Sequence, residues 1–279
     1  MKKVAVIQDL SSFGKCSLTA AIPVLSVMGV QACPLPTAIF SAQTEYPSYF
    51  CEDLTAKMPF FIEEWNKLNA NFDGIHTGFI TGKEQITHIL LFLDTFYNKD
   101  TLLLVDPVMG DIGEAYTNFD DDLLGQMKEL IKQADVITPN VTECCLLTGL
   151  SYDRLYRYGN EKDFLKAIQE AGQQLQQETG AQIIITGINP PGDTQVIGNM
   201  YVSGDRTVYS SAPFNGKSYS GTGDLFASVL MGSLMRGEDL EQAIRLAETF
   251  LTAAIQDTDA EGTPTVAGVN FERYLRLLL

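Results

Sequence analysis

The chain has 279 residues, of which 35 are acidic and 19 basic, giving a net charge of −16; 45% are hydrophobic and 19% charged. This is a globular composition, and a surface so negative repels nucleic acid and anionic membrane, so neither is expected as a partner. Five cysteines without metal-ligand spacing and only two histidines argue against a zinc site.

Read from the N-terminus, Lys2-Lys3 precedes a short apolar run, Val4-Ala5-Val6-Ile7, that stops at Gln8-Asp9. The run is too short for a secretory signal core, and nothing further along approaches the ~20 apolar residues of a membrane span. A cytoplasmic protein is therefore expected, with Val4 to Ile7 as its first buried strand. Thr37 to Cys51, rich in Ser, Thr, Tyr, Phe and Pro, reads as a loop or flap over about residues 38–51. Gly74-Ile75-His76 reads as another strand. Ile86, Ile89, Leu93 and Phe96 then recur at helical spacing.

The alternation continues. Leu102 to Val105, Val136-Ile137-Thr138 and Ile183 to Ile185 are apolar on both faces, as parallel strands covered by helices must be. Helical faces lie between and after them, at Leu123 to Ile131, Phe164 to Leu175 and Leu240 to Ala254. Val196 to Ser211, turning at Ser203-Gly204-Asp205, reads as an antiparallel hairpin. The expected fold class is α/β, with a central, mainly parallel sheet between two helical layers and a single domain over residues 1–279.

In open parallel sheets, ligands bind where strands end and helices begin. The residues after each strand are Gln8-Asp9, Thr77-Gly78-Phe79, Asp106-Pro107-Val108-Met109-Gly110-Asp111, Thr138-Pro139-Asn140 with Glu143, and Thr186-Gly187. Polar and acidic groups therefore gather at one rim. Gly221-Thr222-Gly223-Asp224 opens the apolar helix Leu225 to Leu234. Its glycines let the backbone approach a ligand closely, and the first N–H groups of a helix can cradle the charge of a transferred phosphoryl group. Asp224 could take a proton from a substrate hydroxyl beside that cradle. An acidic residue in the first turn is also favoured by the helix dipole alone. Asp106 and Glu143 offer oxygen ligands of the kind that suit Mg²⁺. A turn-forming Asp-Pro and a first-turn dipole partner account equally well for each of them.

Together, Asp106 to Asp111, Ile137 to Asn140 with Glu143, and Ser220 to Phe226 resemble the ribokinase superfamily, and within it the pyridoxal kinases. Ile7-Gln8 and Phe40-Ser41 through Thr44-Glu45-Tyr46 are similar to that family's substrate-side segments. The resemblance implies ATP-dependent phosphorylation of the 5′-hydroxymethyl group of a vitamin B6 vitamer by a homodimer. It further implies Asp224 as base, with Gly221, Thr222 and Gly223 as the anion hole. Asp106 and Glu143 would lie near Mg–ATP, Asn140, Thr186 and Gly187 near the nucleotide, and Asp106 and Thr138 near a K⁺ site. Thr44, Phe40 and Phe79 would line the ring pocket. Pyridoxal kinases commonly carry Ser where Asp9 stands and His where Gln43 stands. A carboxylate at position 9 is expected to favour an amine-bearing vitamer. Hydroxymethylpyrimidine kinases, sugar or nucleoside kinases and a non-catalytic binding regulator remain alternatives. The aromatic flap favours a flat ring over a sugar, and the intact Asp224 argues against a mere binder.

Overall fold

The computed structural model describes residues 1–117, 119–192 and 195–279. The chain packs as two compact units, residues 1–102 with 218–279, and residues 103–217. In chain order the first unit begins with β1 (Lys3–Ser11), α1 (Ser17–Val27), β2 (Gln31–Phe40), β3 (Cys51–Asp53), α2 (Met58–Lys67), β4 (Gly74–Thr77) and α3 (Lys83–Phe96). β5 (Leu102–Val105) opens the second stretch. It continues through β6 (Gly110–Asp111), β7 (Glu114–Ala115), α4 (Asp121–Ile131), β8 (Val136–Ile137), α5 (Val141–Thr148), α6 (Tyr152–Leu155), α7 (Glu161–Thr179), β9 (Gln182–Ile188), β10 (Val196–Ser203) and β11 (Arg206–Pro213). The chain then returns to the first unit with α8 (Thr222–Arg236) and α9 (Leu240–Ala260), followed by 3₁₀ turns at Thr265–Ala267 and Glu272–Leu278.

In the first unit β4, β1 and β2 are parallel and β3 adds an antiparallel edge. The register runs Val4 to Ile7 against Gly74 to Thr77. β2 carries Pro34 and Pro36, which cannot donate to a ladder. Both lie on the stretch that β3 leaves uncovered, because β3 pairs only with Ala38, Ile39 and Phe40. In the second unit β5, β8 and β9 are parallel, and the β10–β11 hairpin closes the run antiparallel through Ser203 and Arg206. The α/β class with a mainly parallel sheet covered by helices is thus the one expected. The flap narrows to residues 41–50, since β2 runs to Phe40 and β3 begins at Cys51. No helix among the described residues is long and apolar enough to cross a membrane.

α8 is buried almost all round, from Leu225 to Ser233, and packs against α1, α9 and β4. Gly74 of β4 marks that contact: a Cβ there would come 2.9 Å from Met231 Sδ and 3.2 Å from Met235 Cε. Two residues on along the same strand face comes His76, fully buried with neither ring nitrogen hydrogen-bonded among the described residues. Burial drives its pKa down to about 4. A folded pKa below the unfolded 6.5 means the unfolded chain binds the proton more tightly, so His76 contributes stability above pH 6.5 that is lost as pH falls toward 4. That loss amounts to about 3 kcal/mol. His76→Leu is expected to flatten the fall in urea-unfolding free energy between pH 7 and pH 5 relative to the parent chain. An unchanged slope would assign the acid sensitivity to other groups.

Candidate active site

In the first unit the C-terminal end of β1 and the N-termini of α1 and α8 meet. Gly221 caps α8 in the left-handed region (φ +80), and a Cβ there would collide with the Lys15 carbonyl oxygen and lie 3.0 Å from Cys16 Cα. The turn is therefore held against the loop that leads into α1. Leu225 N–H donates to the Gly221 carbonyl and Thr222 Oγ1 donates to the Tyr219 carbonyl (both 3.0 Å). The N–H groups of Gly223 and Asp224 belong to the first turn, which the helix cannot pair internally. Gly223 is exposed and Asp224 half-buried, so this end of α8 is open to a ligand.

Asp9, at the end of β1, is almost completely buried and accepts a hydrogen bond from Ser11 Oγ (2.8 Å), with the Ser17 hydroxyl as a second partner. Burial raises its pKa, and the two hydroxyls offset part of that rise. Cys16, between the loop and α1, is held as a protonated thiol first by burial, then by the negative charges of Asp224 and Asp9. Both carboxylates therefore act on one point. Asp9 also contributes to raising the thiol of Cys51 at the start of β3, after burial and Asp53. Phe40 packs edge-on against Phe79 (6.2 Å between centroids) and Tyr49 (5.6 Å). Thr44 stands exposed on the flap.

In the second unit Asp106 and Glu143 are buried. Asp106 Oδ1 accepts from Thr138 Oγ1 (3.0 Å), so the strand ends of β5 and β8 are joined at the rim. Glu143 and Asn140 form a reciprocal capping box on α5: the Asn140 side chain accepts from Glu143 N–H (2.9 Å) and Glu143 Oε2 accepts from Asn140 N–H (2.8 Å). Glu143 Oε1 accepts from Met109 N–H (3.1 Å), and Asn140 Nδ2 donates to the Gly110 carbonyl (2.8 Å). The first-turn role that the sequence left open for Glu143 is thus present in full. Thr186 N–H donates to the Pro139 carbonyl (2.9 Å), which brings Thr186 and the exposed, left-handed Gly187 (φ +69) to the same rim. Burial raises the pKa of both carboxylates, and for Glu143 the charge of Asp106 adds to the rise. Two buried acids that repel each other suit a divalent cation. No cluster of three or more His, Cys, Asp or Glu side chains fit for a metal occurs among the described residues. Mg²⁺ needs no such cage, since one or two carboxylates, waters and substrate phosphates complete its shell.

A family model for phosphomethylpyrimidine kinases matches residues 12–267. The chain belongs to that family. It is 33% identical to the pyridoxal kinase of Lactobacillus plantarum, whose crystal structure superposes with a TM-score of 0.88 over 100% of this chain and 97% of that one. A provisionally assigned phosphomethylpyrimidine kinase from Bacteroides thetaiotaomicron, in the crystal form with pyridoxal, is 38% identical at a TM-score of 0.92, covering 99% and 95%. The pyridoxal kinase of Dictyostelium discoideum is 29% identical over 273 residues, 92% of this chain and 86% of that protein. The fold is accordingly ribokinase-like, and the chain is a kinase, a phosphotransferase with an alcohol group as acceptor.

Within this kinase, three features of the site escape a sequence reading. Ser11 and Ser17 become partners of Asp9 only through the way the chain turns between β1 and α1, whereas the Lys15–Cys16 backbone beneath Gly221 and the bonds from Gln43 to Val266 and Ser220 join segments far apart in the chain. The one local signal is Gly14, whose φ of +110 marks a turn in Ser12-Phe13-Gly14-Lys15.

Proposed function

We propose that the chain is an ATP-dependent kinase of the 5′-hydroxymethyl group of a vitamin B6 vitamer, working as one functional domain over residues 1–279. The observation that carries this reading is the open glycine turn of α8 with Asp224 in its first turn, in the same unit as the Phe40–Phe79–Tyr49 ring cluster. Aromatic walls suit a flat heterocycle, and the pyridoxal bound by the Bacteroides thetaiotaomicron relative supports a B6 acceptor.

In this mechanism Asp224 accepts the hydroxyl proton as the acceptor oxygen attacks the γ-phosphorus of ATP. The bond to the leaving oxygen breaks and ADP departs. Gly221, Thr222 and Gly223 form the turn that steadies the transferred group, with the first-turn N–H groups of Gly223 and Asp224 facing it, and phosphoryl transfer asks little more than such positioning and charge stabilisation. Asp106 and Glu143 would hold Mg²⁺, Thr138 and Asp106 a K⁺ ion, and Asn140, Thr186 and Gly187 the nucleotide. Mg²⁺ supplies charge neutralisation on the phosphates. Asp9, Phe40, Thr44 and Phe79 face the acceptor. A cytoplasmic homodimer is part of the same reading.

The family's pyrimidine kinases, one of them a hydroxymethylpyrimidine/phosphomethylpyrimidine kinase of Bacillus subtilis, keep a hydroxymethylpyrimidine acceptor as the second reading. Following ATP consumption with pyridoxal, pyridoxine, pyridoxamine, the pyrimidine alcohol and ribose separates the two. The buried carboxylate of Asp9, which accepts hydrogen bonds from the hydroxyls of Ser11 and Ser17, sharpens the vitamer choice. Asp9→Ser is expected to lower the pyridoxamine-to-pyridoxal ratio of kcat/KM by roughly tenfold, the scale of one charge-assisted hydrogen bond. Equal ratios in parent and variant would remove Asp9 from vitamer selection.

A further inference from the structure

Gln43 lies in the flap yet is buried, whereas its neighbours Thr44 and Glu45 are exposed. Its backbone N–H donates to the Phe13 carbonyl (2.9 Å) and its carbonyl accepts from Tyr46 N–H (3.1 Å). Side-chain Oε1 accepts from Glu45 N–H (2.8 Å). Nε2 donates to the Val266 carbonyl (2.9 Å) and, more loosely, to Ser220 Oγ (3.4 Å). One residue thus bonds to the loop before α1, to the flap itself, to the 3₁₀ turn Thr265–Ala267 and to the residue that precedes Gly221. Ser220 N–H donates to the Thr265 carbonyl (3.2 Å), so the last two segments are also tied to each other.

An amide is the side chain this junction requires. It offers an acceptor and two donors on one short plane, and all of these functions are engaged. A glutamate would keep the bond from Glu45 N–H but would turn a second acceptor toward the Val266 carbonyl. The space is also closed to adjustment: a Cβ on Gly14 would come 2.8 Å from Gln43 Cγ.

We infer that Gln43 is a positioning residue that latches the aromatic flap, residues 41–50, to the turn carrying the phosphoryl cradle, so that flap and cradle become ordered together. The inference rests on the reading of Gly221 to Asp224 as that cradle, and it deepens it: acceptor enclosure and phosphoryl stabilisation share one hinge point. It also gives the flap a catalytic consequence without any flap residue touching the phosphoryl group.

Hydrogen exchange of the free protein, read by mass spectrometry, tests the latch independently of any substrate. In Gln43→Met, exchange is expected to rise about tenfold in peptides covering residues 41–50 and also in those covering 219–225 and 264–268. Gln43→Glu, which retains the flap-side bond, is expected to loosen 219–225 and 264–268 while leaving the Glu45 amide nearly as protected as in the parent. With whichever alcohol the parent enzyme phosphorylates, both variants are expected to lose about tenfold in kcat with KM for ATP within about twofold. A purely structural role would lower the melting temperature without that split. Exchange confined to the flap in both variants overturns the latch. Loosened turns with normal kcat retain the latch and instead overturn the cradle reading, as does a parent enzyme without turnover on any alcohol.

Discussion

Asp224→Asn is expected to keep the fold and nucleotide binding and to lower kcat by about 10²-fold or more, the scale on which a general base contributes. The substitution is close to isosteric, and position 224 lies in the first turn of α8, where the helix end stays open whether the side chain is charged or neutral. Loss of the negative charge removes some favourable interaction with the helix dipole, worth about 0.3–1 kcal/mol, which leaves a stable protein. The variant also relieves Cys16 of one of the two carboxylate charges that raise its pKa. Its thiol is therefore expected to react somewhat faster with an alkylating probe, and this reports the substitution even where activity is lost. A kcat within a few-fold of the parent, at unchanged KM for ATP, would deprive Asp224 of the role of base.

Gly221→Ala is expected to be the most damaging of the small substitutions. Two penalties coincide at this position. The left-handed backbone costs an L-residue about 1–2 kcal/mol, and the added methyl meets main-chain atoms of Lys15 and Cys16, which cannot swing aside as a side-chain tip can. Either the turn or the loop before α1 must move, and both line the same end of α8. A fall in kcat of about 10²-fold is expected, since small displacements of a positioned group are that costly. Gly216→Ala is the matched control. Gly216 has nearly the same φ (+78), but nothing among the described residues lies within 4 Å of the position its Cβ would take. It should cost only the backbone penalty and leave kcat close to the parent value. Equal kinetic losses in the two variants would show that backbone conformation alone, and not the packing of Lys15 against the cradle, governs the turn.

Much of this architecture is legible in the chain because the local signals and the tertiary ones agree. Val4 to Ile7, Leu102 to Val105 and Ile183 to Ile185 are apolar on both faces and become interior strands. The face from Leu240 to Ala254 becomes α9, with Asp239 as its cap. β2 is harder to see, because Pro34 and Pro36 argue against a strand until it is known that this stretch pairs on one side only. The acid groups of the rim are visible as residues following strands. What Glu143 does with its oxygens is not, since its bond to Met109 N–H crosses 34 residues of chain. The junction at Gln43 is less visible still: it spans 177 residues to Ser220 and 223 to Val266, and no periodicity or spacing encodes such a contact.

In the proposed function the open end of α8 serves a B6 alcohol. The most direct measurement is a competition in which the purified protein, MgATP and equal concentrations of pyridoxal, pyridoxine, pyridoxamine, hydroxymethylpyrimidine and ribose react together, with the phosphorylated products identified by mass and ³¹P NMR. A vitamin B6 5′-phosphate is expected as the dominant product, favoured over the pyrimidine phosphate by roughly 10-fold to 200-fold, the range that pocket contacts can supply. No detectable sugar phosphate is expected. A dominant pyrimidine phosphate would contradict the account, as would tight vitamer binding with no phosphorylated product at all.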